Sequence, residues 1–234
     1  LPEDQISASL EVSPKLSLLG HYQFGFHETL LPAPGMYTST SNALGPGASC
    51  LGVYNGATCR GLRRGNDIRP SSSGQWGIGG RYRVTDETEV GLYYLNYNDR
   101  NPSLVVNMNG AVPTGYQVRY FDDIKMLGAT VSTTFGKFSA FGEASYRKGT
   151  PVLNGNGVAV RGDVVQGNVG GIFNIGRTGI ADDMSLAAEI SGSRVISVAD
   201  GSSTDNLSFK TRNSLVAGAT LTLGYPGIFE GWDL

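Results

Sequence analysis

The chain has 234 residues, 34 of them glycine, with only 16% charged residues and a formal net charge of -2. Charge is scarce against the ~25% of ordinary domains, and the scattered basic residues give no nucleic-acid partner. Mean hydropathy is -0.12, and no stretch approaches the ~18 apolar residues of a spanning helix. A transmembrane barrel stays open, because lumen-facing residues dilute the average.

From Gln5 to Leu223, about nine runs of roughly 8–14 residues alternate apolar and polar side chains, as a strand with two unlike faces does. The first is Gln5–Val12. The second sets Leu16, Leu18, Tyr22, Phe24 and Phe26 against Ser17, His21, Gln23, Gly25 and His27, with Leu19 the exception. Next comes a Gly-, Pro- and Ser-rich stretch, Thr29–Ser73, longer than ordinary connections. It is expected to be an external loop, either folded inward as a constriction or plug or capping the barrel outside. Cys50 and Cys59 both lie in it. In an oxidising compartment they can form a disulfide, worth about 2–3 kcal/mol for so short a ring. Two free thiols are the alternative.

The third run sets Trp76, Ile78, Tyr82 and Val84 against Gln75, Arg81 and Arg83; the fourth sets Val90, Leu92 and Tyr94 against Glu89 and Tyr93. In the fifth, Tyr116, Val118 and Tyr120 alternate with Gln117, Arg119 and Phe121, then Asp122-Asp123 interrupts and Lys125–Phe135 resumes in opposite phase. This reads as one descending strand with an external break or bulge. The sixth opposes Phe138, Ala140, Ala144 and Tyr146 to Ser139, Glu143 and Arg147. The seventh opposes Val165, Val169, Phe173 and Ile175 to Gln166, Asn168 and Asn174. The eighth opposes Met184, Leu186, Ala188 and Ile190 to Ser185, Glu189 and Ser191; the ninth opposes Leu215, Ala217, Ala219, Leu221 and Leu223 to Ser214, Thr220 and Thr222.

The gaps between runs alternate in length. Short ones fall near Ser13–Lys15, Thr85–Thr88, Gly136–Lys137, Gly176–Asp183 and Gly224–Gly231. Long ones fall at Thr29–Ser73, Asp99–Gly115, Lys148–Gly162 and Ile196–Lys210. Short turns on one side and long loops on the other are the layout of an outer-membrane barrel. The expected fold is all-β: an antiparallel up-and-down meander, part of a transmembrane β-barrel in the bacterial outer membrane. Phe135, Phe138, Tyr225, Phe229 and Trp232 by the short turns, and Phe26, Trp76, Tyr94, Tyr116 and Tyr146 by the long loops, are placed as two interfacial girdles. Residues 1–234 read as a single barrel segment of about nine strands, with a tenth opening at Trp232. Leu1 is not a start residue, so an internal segment of a longer protein is expected, whose first strand does not pair with its ninth, Thr211–Leu223.

Six motifs together carry a family resemblance: LPEDQIS (Leu1–Ser7), SGQWGIGGRYRV (Ser73–Val84), ETEVGLYYLNYNDRNPS (Glu87–Ser103), YQVRYFDDIKMLGATVST (Tyr116–Thr133), SYRKGTPVL (Ser145–Leu153) and YPGIFEGWDL (Tyr225–Leu234). Over nearly its whole length the chain resembles the Gram-negative outer-membrane family labelled domain of unknown function 1302. The resemblance implies long barrels, an outer-membrane location, and an association with handling hydrophobic or aromatic compounds, sometimes beside other envelope transport proteins. It implies no catalytic residues.

The chain's own chemistry is sparse. His21 and His27 are the only histidines, and on one strand they stand ~20 Å apart, too far for a shared metal or a dyad. Gly77, Gly79 and Gly80 lie within a strand and read as aids to close packing or curvature. Asp122-Asp123 alone is poor geometry for Ca²⁺. No catalytic, metal or cofactor site is expected. Arg81, Arg83, Glu89, Arg119, Glu143, Arg147 and Glu189 are expected on the lumen face. They form either an eyelet that sets a field across a pore or a salt-bridged filled interior. The functional expectation is a passive channel for small hydrophobic or amphipathic solutes, in contact with membrane lipid. The alternatives are a non-conducting barrel presenting its loops and, last, a barrel hydrolase.

Overall fold

A computed structural model describes residues 3–55, 58–155, 157–199 and 212–225. Within them the chain is all-β. In chain order the strands are β1 (Gln5–Ser13), β2 (Leu16–Gln23), β3 (Cys50–Asn55), β4 (Thr58–Arg63), β5 (Gln75–Arg83), β6 (Thr88–Tyr97) and β7 (Ser103–Asn109). They continue with β8 (Val112–Arg119), β9 (Ile124–Phe135), β10 (Phe138–Leu153), β11 (Ala159–Asn174), β12 (Asp183–Val198) and β13 (Asn213–Gly224).

Nine of them build one sheet in the order β1-β2-β5-β6-β9-β10-β11-β12-β13. Every ladder in it is antiparallel, so it is an up-and-down meander. The turns at one end are tight: Gly136-Lys137 joins β9 to β10, and Gly136 takes φ 56°, a conformation that glycine adopts without steric cost. Among the described residues no ladder joins β1 to β13. The sequence Phe229–Trp232 and the proposed tenth strand lie outside the described residues.

Two hairpins stand apart from the sheet: β3 with β4, and β7 with β8. This corrects the reading of Tyr116–Phe135 as one broken strand. Tyr116–Arg119 pairs with β7, and only Ile124–Phe135 joins the sheet, against β6 and β10. Asp123, at φ 52°, turns the chain between them. The Lys148–Gly162 loop is also corrected. β10 runs on to Leu153 and β11 starts at Ala159, leaving a tight turn held by Asn154 and Val158. β10, β11 and β12 have 16 residues each, against the ~9–11 that cross a membrane. Their excess projects beyond the apolar band on the long-loop side.

Among the described residues the sheet has no protein core on its apolar face. Leu92 is 65% exposed, Val169 69% and Leu215 77%, and Tyr22, Phe24, Ile78, Leu186 and Leu221 are exposed too. A soluble protein rarely leaves so large a contiguous apolar surface bare; lipid is the solvent that suits it. Phe135 and Phe138 flank one short turn and are exposed. Trp76 and Tyr94 pack at 5.6 Å near the other end, with Tyr146 exposed. Two residues leave the expected girdle. Tyr116 is fully buried, and Phe26 packs edge-on against Tyr120 at 5.8 Å. Both serve the loop structure, where the buried side chains Tyr116, Val118, Phe121 and Ile124 lie.

Candidate lumen wall and mouth

The polar face is concave. A hollow of about 590 Å³ is lined by Gln5, Ser7, Ser9, His21, Gln23 and Tyr93. A second of about 210 Å³ continues past Tyr93 to Glu143, Arg147, Gln166 and Asn168. The ladders fix which inner side chains stand in one row across the strands. Next to the row Thr134, Ser139, Ile172, Ala187 and Thr220, which lies nearest the short turns, runs Arg83, Glu89, Ser132, Phe141, Gly170, Glu189 and Gly218. The next runs Glu11, Ser17, Arg81, Gly91, Thr130, Glu143, Asn168 and Ser191. A third is uncharged: Ser9, Leu19, Gly79, Tyr93, Gly128, Ser145, Gln166 and Ser193.

Six of the seven expected lining charges therefore stand on this wall, and five of them lie in the two rows that hold Glu89 and Glu143. Arg81 Nη1 is 3.7 Å from Glu89 Oε1, and Arg83 faces Glu89 directly. Glu189 Oε1 receives a long hydrogen bond, 3.4 Å, from Asn168 Nδ2. Glu143 makes no ion pair among the described residues. The arginines sit on β5 and the unpaired carboxylates on β10 and β12, so the charge is split across the wall. Arg147 lies higher, its Nη2 donating to Gln166 Oε1 at 2.5 Å. Glu11 completes the second row; the alternation of Ile6, Ala8, Leu10 and Val12 with Gln5, Ser7, Ser9 and Glu11 was the signal for it.

Glycines let large inner side chains lie against the wall. A Cβ on Gly77 would come within 2.4 Å of the His21 ring, and one on Gly79 within 2.5 Å of Tyr93. His27 is elsewhere. Its Nδ1 lies 3.0 Å from Glu3 Oε2, Arg100 Nε contacts the same carboxylate at 3.3 Å, and the trio ties the loop ends together.

Arg119 is not on the wall. It belongs to β8, and its guanidinium lies 4.8 Å from the Phe121 ring centroid. Arg161 of β11 lies 5.6 Å from the same ring, while its Nη1 donates to the Asp122 carbonyl at 2.7 Å and its Nη2 to Asp122 Oδ1. Periodicity placed Arg119 on a polar face correctly but could not say which sheet owned the strand.

The two hairpins and their loops form a cap at the long-loop end. Gly65, Ile68 and Tyr120 exchange backbone hydrogen bonds between the first loop and β8. Arg64 binds both Asp67 oxygens at 2.8 and 2.9 Å, and Tyr116 Oη donates to the Ala43 carbonyl at 3.0 Å. Burial pushes the Tyr120 hydroxyl pKa up, with Glu28 and Asp67 adding to it, so it stays neutral. Cys50 and Cys59 are joined by a disulfide, with Cα atoms 5.7 Å apart. The ladder pairs Cys50 with Arg63, so the hairpin must fold over to bring Cys59 near. Gly52 (φ 147°) and Gly61 allow it, since a Cβ on Gly61 would meet the Leu51 carbonyl oxygen at 2.2 Å.

The cap lies on the inner side of the wall. At the long-loop end the inner residues Gln75 and Ile124 are 4% and 0% exposed, whereas outer Trp76 is 36% exposed. Gln75 Nε2 donates to the Gly25 carbonyl, and its Oε1 accepts from Asn98 N at 2.9 Å. The long loop itself packs on β8 within this cap, through Gly65, Ile68 and the Ala43 carbonyl.

The profile of the family described as "Protein of unknown function (DUF1302)" matches residues 1–234. The chain belongs to the DUF1302 family. No curated protein matches it. Among solved structures it is similar to the outer membrane channel DcaP of Acinetobacter baumannii, at a TM-score of 0.52 and 12% identity, over 96% of this chain and 52% of that one. The chain thus spans about half the length of that channel. At this identity the likeness is one of fold, that of an outer-membrane β-barrel. For this DUF1302 chain it agrees with the apolar outer face and the tight-turn, long-loop asymmetry.

Proposed function

We propose that this chain forms wall and mouth of a passive channel in the bacterial outer membrane, taking small hydrophobic or amphipathic solutes. The observation that carries it is the pairing of a bare apolar outer face with a hollow polar inner face on the same nine strands. Apolar side chains interrupt the polar wall at mid-height: Leu19, Tyr93, Leu95 and Met126. They offer a solute with an apolar part a surface between the charged rows and the cap. Arg81, Arg83, Glu89, Glu143, Arg147 and Glu189 act there as lining charges with no bond-making role.

The cap favours a second reading, a non-conducting barrel that presents its loops, because it covers inner residues at the mouth. Planar-bilayer recording of the full-length protein separates the two. Reproducible conductance steps support the channel. Inserted protein without steps supports the closed, loop-presenting barrel.

A further inference from the structure

On the outer face the register sets two lysines directly opposite each other, Lys125 of β9 and Lys148 of β10. They share the phase of Leu127 and Tyr146, which are 56% and 38% exposed; the alternate residues Met126 and Arg147 line the inner hollow. Like charges directly opposite on one sheet face repel, unless an anion lies between them. The described residues supply little to fill that role. Lys125 Nζ is 3.7 Å from Asp123 Oδ2, with the two side chains 50% and 62% exposed. Lys148 is exposed and makes no ion pair or hydrogen bond among the described residues. The nearby Asp163 spends its carboxylate on Tyr146 Oη at 2.9 Å and Gly149 N at 3.1 Å.

The height of the pair is telling. Ten residues separate Phe138, at the short-turn girdle, from Lys148. That is ~33 Å along a strand, or ~25 Å of height at a tilt of ~40°, the height of the apolar band of an outer-membrane barrel. The ammonium groups stand where acyl chains give way to headgroups, with Leu127 and Val131 exposed below them. Arg194 is on the same face, two ladder steps from Tyr146 through Val165, and Tyr146 is itself two residues along β10 from Lys148. Arg194 borders a shallow hollow of about 390 Å³ with Val165, Gly192 and Leu215.

We propose that Lys125 and Lys148 hold the headgroup phosphate of a membrane lipid whose acyl chains run down the apolar wall, with Arg194 a further contact. Two ammonium groups on one phosphate relieve their mutual repulsion, and the chains cover surface that water would leave bare. The proposal rests on the outer-membrane placement above but not on conduction.

The test uses purified full-length protein in detergent, titrated with bisphosphorylated lipid A and with its dephosphorylated form, with binding read by native mass spectrometry. The phosphorylated lipid should bind, and Lys125→Gln with Lys148→Gln should weaken it about tenfold. The paired Lys→Arg variant should retain binding, and Lys137→Gln, at the opposite end, should change nothing. Equal binding of both lipids, or an unaffected double Gln variant, overturns the proposal. Inorganic phosphate competing as well as the lipid also overturns it, leaving a free-anion site. Insertion into phosphatidylethanolamine–phosphatidylglycerol vesicles is measured alongside. Wild type that fails to insert strikes the outer-membrane reading. Insertion with phosphate-blind lipid binding strikes only this proposal.

Discussion

The ring of Tyr93 lies on Gly79, its partner across the β5–β6 ladder: a Cβ on Gly79 would stand 2.5 Å from Tyr93 Cδ1. The missing side chain keeps the phenol against the wall, in the uncharged row of the inner face.

Gly79→Val should drive Tyr93 off the wall and into the lumen. The Leu92 carbonyl oxygen, 3.2 Å from the same point, is backbone and cannot yield, so the tyrosine must. Overpacking of this kind costs about 1–3 kcal/mol. Single-channel conductance should fall, and adding Tyr93→Ala should restore it. Unchanged conductance in Gly79→Val would show that Tyr93 does not set the bore.

Arg161→Gln should loosen the cap without unfolding the sheet. It removes the hold on Asp122 and one of the two cations on Phe121. Both members of the ion pair are well exposed, at 32% and 50%, so the pair contributes little by itself. The loss of the hydrogen bonds and the ring contact is local, about 1 kcal/mol. Hydrogen exchange should accelerate at Phe121–Ile124 and stay slow in β10 and β11. Uniform acceleration across the sheet would mean that Arg161 supports the barrel rather than the cap.

The wall was legible in the sequence because a two-faced strand writes its period into every second residue. Arg81, Glu89, Glu143 and Glu189 fell on the polar face by that alternation alone. The cap was not legible, for a physical reason. β8 alternates Tyr116 and Val118 with Gln117 and Arg119 just as a wall strand does, but its apolar face is buried by Ala43 and the loop carrying Arg64 and Ile68. Local pattern records two faces and not the partner that covers them. The same limit hid the length of β10 beyond Tyr146. Gly149 and Pro151 look like loop residues, yet a bulge between Arg147 and Thr150 takes up Gly149, and Pro151 pairs with Arg161 in the ladder.

Glu143→Lys should move ion selectivity toward anions. The carboxylate faces Thr130 and Asn168 across its two ladders and has no cationic partner among the described residues, so its field is free to act on the pore. Reversal potential in a KCl gradient reads the change. The shift should shrink at ~1 M salt, where the screening length falls to ~3 Å. Glu89→Lys, the same change of charge, should have a smaller effect, because Arg81 already offsets that carboxylate at 3.7 Å. Equal shifts from both would mean that the Arg81 pair does not persist in the open pore.

Leu92→Arg and Thr130→Arg test the membrane directly, because they sit on adjoining strands but opposite faces. Leu92 pairs with Ala129 and shares the apolar face; Thr130 pairs with Gly91 and Glu143 on the polar one. Leu92 stands four residues beyond Thr88, where β6 leaves its short turn, or ~10 Å up a tilted strand and inside the apolar band. An arginine at that depth on the lipid face costs about 2–4 kcal/mol. On the inner face it meets water and the Glu143 carboxylate, and should cost under about 1 kcal/mol. Urea unfolding of the full-length protein refolded into phospholipid vesicles measures both. A soluble sheet would reverse the ranking: Leu92 is 65% exposed, and replacing an exposed leucine in water is close to neutral. A neutral Leu92→Arg would therefore mean that the apolar face does not meet lipid.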